Sequence, residues 1–84
     1  MTDQEFEIMD ELYFVRSFDS LFKQFNFSEE VLKHYLAELI KKDWVKCMKD
    51  LDEEVTDNLD FESKYKEYSY LVTKKGLMAH NGRF

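Results

Sequence analysis

Residues 17–48, SFDSLFKQFNFSEEVLKHYLAELIKKDWVKCM, decide how the rest of this chain is read. Phe18, Leu21, Phe22 and Phe25 recur at the i, i+3, i+4, i+7 spacing of one helical face, which predicts a short helix with a strongly aromatic side. Ser17 or Asp19 can cap it. Asn26-Phe27-Ser28 makes a turn, and Ser28 suits the N-cap of a longer helix. Glu29 and Glu30 then fall in its first turn, where the helix dipole favours anions. Val31, Leu32, Tyr35, Leu36, Leu39 and Ile40 form its buried stripe, and Phe27 and Leu32 are spaced for a hydrophobic staple. Lys41 and Lys42 complement the C-terminal end. Asp43 stands where the chain leaves the helix, a position that more often holds Gly or Asn. Trp44 to Met48 reads as a strand.

Working outward, Thr2-Asp3-Gln4-Glu5 has the form of a capping box. Phe6, Ile8, Met9, Leu12 and Tyr13 continue it as a helix from about Asp3 to Phe14, and Val15 and Arg16 supply a short extended link. On the far side, residues 65–73, YKEYSYLVT, read as a second strand with Tyr68, Tyr70 and Val72 on one face. Residues 49–64 lie between the strands and are expected to form an extended hairpin loop. Thr73 can cap a short terminal helix that ends near Asn81-Gly82.

The 84 residues are those of one domain. With 44% hydrophobic and 17% aromatic residues the chain can fill a core and lacks a disordered composition. Phe6, Phe14, Phe18, Phe22, Phe25 and Trp44 are assigned to that core. Cys47 is the only cysteine, so no internal disulfide forms. The acidic start, MTDQEFEIMDEL, is unlike a signal peptide, and no apolar run is long enough to span a bilayer. The expected compartment is the cytoplasm.

The order helix, helix, helix, strand, long loop, strand, short helix resembles the winged helix-turn-helix domains of bacterial transcription regulators. The resemblance rests on the turn Asn26-Phe27-Ser28, the helical leucines Leu36 and Leu39, the pair Trp44-Val45 and the closing run Tyr70-Leu71-Val72-Thr73-Lys74-Lys75-Gly76. It implies an α+β fold: a three-helix core, an antiparallel wing of two or three strands and a C-terminal helix. The helix-turn-helix would occupy 17–43 and the wing 44–73 of a single 1–84 domain. The resemblance also implies DNA binding, with helix 28–42 in the major groove and contacts from Ser28, Lys33, His34 and Lys41, joined by Lys64 and Lys66 of the wing.

Charge argues the other way. The net charge is −6, and residues 28–48 carry four acids against four bases. Glu29 with Lys33, and Glu38 with Lys42, stand at i, i+4 and are expected to pair. The wing is more acidic still, with Asp50, Asp52, Glu53, Glu54, Asp57, Asp60, Glu62 and Glu67 against Lys49, Lys64 and Lys66. Nucleic-acid affinity draws on a basic excess that these segments lack. The favoured function is therefore a non-enzymatic regulatory module acting through association with a protein partner or a second copy of itself. Tyr65, Tyr68 and Tyr70 are its candidate contact surface, and DNA binding is the alternative.

No other chemistry is visible. His34 reads as a solvated helix residue near Glu30, and His80 and Cys47 show no ligand spacing, so no metal is expected. The Asp50–Glu54 run lacks the central Gly and spaced ligands of a calcium loop. Without a phosphate loop or a nucleophile–base pair, neither a cofactor nor a small-molecule substrate is expected. Exchanging both Glu29 and Glu30 for Lys is expected to raise affinity for non-specific duplex DNA without unfolding the chain, read by fluorescence anisotropy beside far-UV circular dichroism.

Overall fold

A computed structural model describes residues 1–56 and 59–82. Among them are five helices and a three-stranded antiparallel sheet: α1 (Asp3–Glu11), β1 (Arg16–Ser17), α2 (Phe18–Gln24), α3 (Glu29–Lys41), β2 (Val45–Met48), α4 (Phe61–Lys64), β3 (Ser69–Val72) and α5 (Lys74–Gly82). The fold is α+β. β3 is the middle strand, in the order β1-β3-β2, with Tyr70 opposite Arg16 on one side and Cys47 on the other.

Each long helix starts where its sequence provides a cap. Thr2 and Glu5 close both halves of the capping box, and the Ser17 and Ser28 hydroxyls accept from the Ser20 and Val31 amides. α3 ends in a Schellman turn, in which the Asp43 amide donates to the Ile40 carbonyl and the Trp44 amide to that of Leu39. Asp43 takes the left-handed conformation there, φ 63°, at a place where glycine would be unstrained.

Burial follows the predicted stripes. Ile8, Met9, Leu12, Leu21, Leu32, Leu36, Leu39, Val45 and Tyr70 are fully buried in one cluster between the helices and the sheet. Glu5 joins them as a buried carboxylate, bonded to Lys42 at 2.9 Å. Burial pushes its carboxyl up, but the Thr2 amide and Lys42 together hold it below its ordinary value. Burial, with Glu54 nearby, raises the Cys47 thiol to about 12, so Cys47 is a neutral core residue. His80 stacks on Phe6 at 4.0 Å and meets the Tyr13 hydroxyl at 2.8 Å, which fixes α5 against α1.

Several expectations are corrected. α1 stops at Glu11, because the Leu12 amide turns back to Met9 and the Leu12 carbonyl accepts from the Val72 amide of β3. Phe14 thereby falls outside the helix and is 80% exposed, and Phe22 is 39% exposed, so neither is a core residue. The expected 65–73 strand is only Ser69–Val72, since residues 65–67 turn and the Glu67 and Tyr68 amides both donate to the Lys64 carbonyl. The 49–64 loop is not simply extended. It doubles back on β2, with Val55 donating to Cys47 and Lys49 to Glu53, and later winds into α4. Asp57, counted among the wing acids, lies outside the described residues.

Gly76 sits where α5 crosses the chain leaving α3, and a Cβ there would lie 2.1 Å from the Trp44 carbonyl oxygen and 2.7 Å from Val72 Cγ2. Gly76→Ala is therefore expected to cost about 1–3 kcal/mol or more through overpacking. Asp43→Gly, by contrast, should stabilise by about 0.5–1 kcal/mol through relief of left-handed strain. Urea unfolding midpoints should move in opposite directions for the two.

Candidate interaction face on the third helix

The outward face of α3 presents Glu30, His34 and Lys41, all exposed and without an ion-pair partner among the described residues, while Ala37 and Glu38 are half-buried. His34 tilts against Tyr35 at 6.0 Å and is otherwise solvated, as its sequence context implies. The helix does not form its expected i, i+4 pairs. Glu29 bonds Lys66 at 2.9 Å, Lys33 bonds Glu62 at 3.1 Å, and Lys42 turns to Glu5. Each charge reaches a residue outside α3, so the helix is tied to its surroundings rather than to itself.

Two of these ties come from one segment. Asp60 caps α4 by accepting from the Ser63 amide, and the chain from Asp60 to Tyr68 lies along the N-terminal flank of α3 as a latch. Tyr65 is its centre. The Tyr65 hydroxyl donates to Glu29 Oε2 at 2.5 Å, its ring lies 4.8 Å beneath Lys33 Nζ, and it meets Phe18 edge-on at 5.1 Å.

The three tyrosines assigned to a contact surface thus do something else. Tyr70 is fully buried and Tyr68 is 8% exposed, because residues 68, 70 and 72 point to the core side of β3. They form no exposed patch. Their hydroxyls fasten the latch instead: Tyr70 donates to the Tyr65 carbonyl at 2.6 Å, and Tyr68 accepts from the Asp60 amide at 3.2 Å. Tyr65 alone keeps part of its ring at the surface.

The six residues assigned to DNA contact separate. Ser28 is an N-cap, and Lys33 and Lys66 are neutralised by Glu62 and Glu29. Lys64 lines a cleft of about 440 Å³ with Lys49, Glu53, Glu54 and Glu67, where carboxylates outnumber amines. His34 and Lys41 stay outward. On β2, Lys46 lies 3.6 Å from Glu54. No group of His, Cys, Asp or Glu among the described residues could hold a metal.

Glu62 and Phe18 were not among the sequence candidates, although both complete the latch. The signal was local: Asp60 before an apolar Phe61 with Glu62 in the first turn is a helix-start pattern. Against known proteins, neither a family model, a curated protein nor a solved structure matches this chain.

The latch sets its own pH window. The Tyr65 hydroxyl and then Lys66 hold the Glu29 carboxyl below its ordinary 4.5, so its contribution is complete above 4.5 and is lost as pH falls through the lower folded value. The hydrogen bond to Glu29, with burial, raises Tyr65 from 10 to about 12, so that contribution is complete below 10 and is lost as pH rises through about 12. Tyr65 ring shifts followed by NMR should be flat between about pH 4.5 and 10 and move at both ends. In Glu29→Gln the acid-side change should shrink to the part that the charges of Glu30 and Glu62 cause.

Proposed function

We propose that this chain is a regulatory winged-helix module that acts through protein association and has no catalytic role. The reading combines the element order that resembles winged-helix regulators with a charge arrangement unsuited to phosphate. The observation that carries it is the latch. On the flank of α3 that would enter a groove first, Lys33 and Lys66 are paired with carboxylates, and Glu62 and Glu29 face any approaching backbone. A DNA contact would have to break both pairs and bring the freed acids near phosphate, with no basic excess to offset the repulsion.

Association supplies what the exposed face lacks. Val31 is 41% exposed beside Glu30 and His34, and no charge of one sign dominates the surface between Glu30 and Lys41. A mixed face of this kind suits a protein surface, where potentials are matched locally, better than a polyanion. No helix among the described residues is long and apolar enough to cross a membrane.

Anisotropy titration with duplex DNA over a range of salt tests the proposal, alongside solution mass by light scattering. At about 150 mM salt the duplex should bind no tighter than the non-specific range of about 10⁻⁴–10⁻⁶ M, with a shallow salt slope. Affinity near about 10⁻⁸ M, falling steeply as salt rises, would overturn it. Because Glu29 belongs to the latch, Glu30→Lys alone is the cleaner charge probe, and it should strengthen duplex binding while Tyr65 stays in place.

A further inference from the structure

We propose that the Glu62, Tyr65 and Lys66 side chains are an internal surrogate ligand, and that the socket they fill between α2 and the first turn of α3 docks a partner protein's short segment carrying a tyrosine, with a carboxylate three residues before it and a lysine directly after. This deepens the association reading and rests on it.

The socket has three chemically distinct parts. Its floor is aromatic: Phe18 is 4% exposed beneath Tyr65, and its ring is stacked with Phe22 at 6.3 Å, which continues the apolar surface to 39% exposure. One wall is the Glu29 carboxylate, which takes both a phenol and an ammonium, from Tyr65 and Lys66. The other is Lys33, which covers the same ring and takes Glu62. Together they read a ring, its hydroxyl, a preceding acid and a following base. That is a recognition code and not a generic apolar surface.

The Glu62, Tyr65 and Lys66 side chains are displaceable without loss of the fold, because Phe61 and Tyr68 stay packed on the core and the Tyr65 carbonyl stays on the Tyr70 hydroxyl. α4 has four residues, of which only Phe61 packs against the core. On the latch side the Glu62 and Lys66 side chains are 77% and 58% exposed, so water already competes for both pairs. The β2–β3 ladder, from Val45↔Val72 to Met48↔Ser69, does not pass through these residues. Such surface contacts open locally while the core stays closed. A partner segment would restore the same contacts while the three side chains swing to solvent, so latched chains bind in proportion to the fraction that is open.

The test uses the full chain with Glu62→Ser, Tyr65→Ser and Lys66→Ser, titrated with a synthetic peptide of residues 60–67, Asp-Phe-Glu-Ser-Lys-Tyr-Lys-Glu. Amide NMR shifts are followed. The unlatched variant should bind at least about tenfold tighter than the unaltered chain. Shifts should centre on Phe18, Glu29 and Lys33, and the affinity should fall several-fold with a Phe-for-Tyr peptide or with Glu29→Gln. If circular dichroism shows that the triple variant is unfolded, Tyr65→Phe takes its place, and its gain over the unaltered chain should be several-fold. Equal binding to latched and unlatched chains, no binding at millimolar peptide, or shifts away from the socket would overturn the proposal. So would dimerisation of the unlatched chain in preference to peptide binding, which would make a second copy the occupant. A negative peptide result leaves association through another face intact, whereas tight, salt-sensitive DNA binding sinks the association reading whatever the peptide does.

Discussion

A buried phenol needs an acceptor, and Tyr70 finds one in the Tyr65 carbonyl. Tyr70 lies in the middle strand, hydrogen-bonded neighbours on both sides, with no exposed surface. Burial pushes its hydroxyl well above the ordinary tyrosine range, so it remains a donor at any ordinary pH. To offer its carbonyl there, the chain at Tyr65 cannot continue β3 and instead turns through residues 65–67. That turn aims the Tyr65 side chain across Phe18 and Lys33 toward Glu29. One core hydrogen bond thus fixes where the surface segment lies, and the segment fixes what α3 can present.

The functional consequence is electrostatic. A helix that reads bases needs free donors on its leading turns. Here the leading turn spends Ser28 on its own cap, Lys33 on Glu62 and Glu29 on a phenol and a lysine. Individual pairs at this exposure are weak, and their number, together with the aromatic contacts, makes the latched arrangement coherent. The same weakness is what the proposed opening for a partner requires.

Much of the architecture was legible because it follows from periodicity and capping. Ser17 and Ser28 mark their helix starts, Asp43 marks the exit of α3, and Leu32, Leu36 and Leu39 are all buried. What stayed hidden depends on long-range competition for single groups. Glu29 and Lys33 have ideal helical spacing, yet partners 29 to 37 positions away in the chain win both. Alternation along β3 correctly grouped Tyr68, Tyr70 and Val72, but alternation cannot say which face is inward, and the tyrosines prove to be on the core side. Phe14 looked like core by composition. The capture of the Leu12 carbonyl by Val72, a contact across most of the chain, released it to solvent.

What α3 can present depends on Tyr65 lying over its start in the free protein. Side-chain nuclear Overhauser contacts of the Tyr65 ring in a labelled sample test it most directly. Cross-peaks are expected from Tyr65 to the Phe18 ring and to the Lys33 side chain, together with a Tyr70 hydroxyl slow enough to observe. A Tyr65 ring with solvent-averaged shifts and no contact to either residue would contradict it, and would return the first turn of α3 to the list of surfaces free to meet DNA.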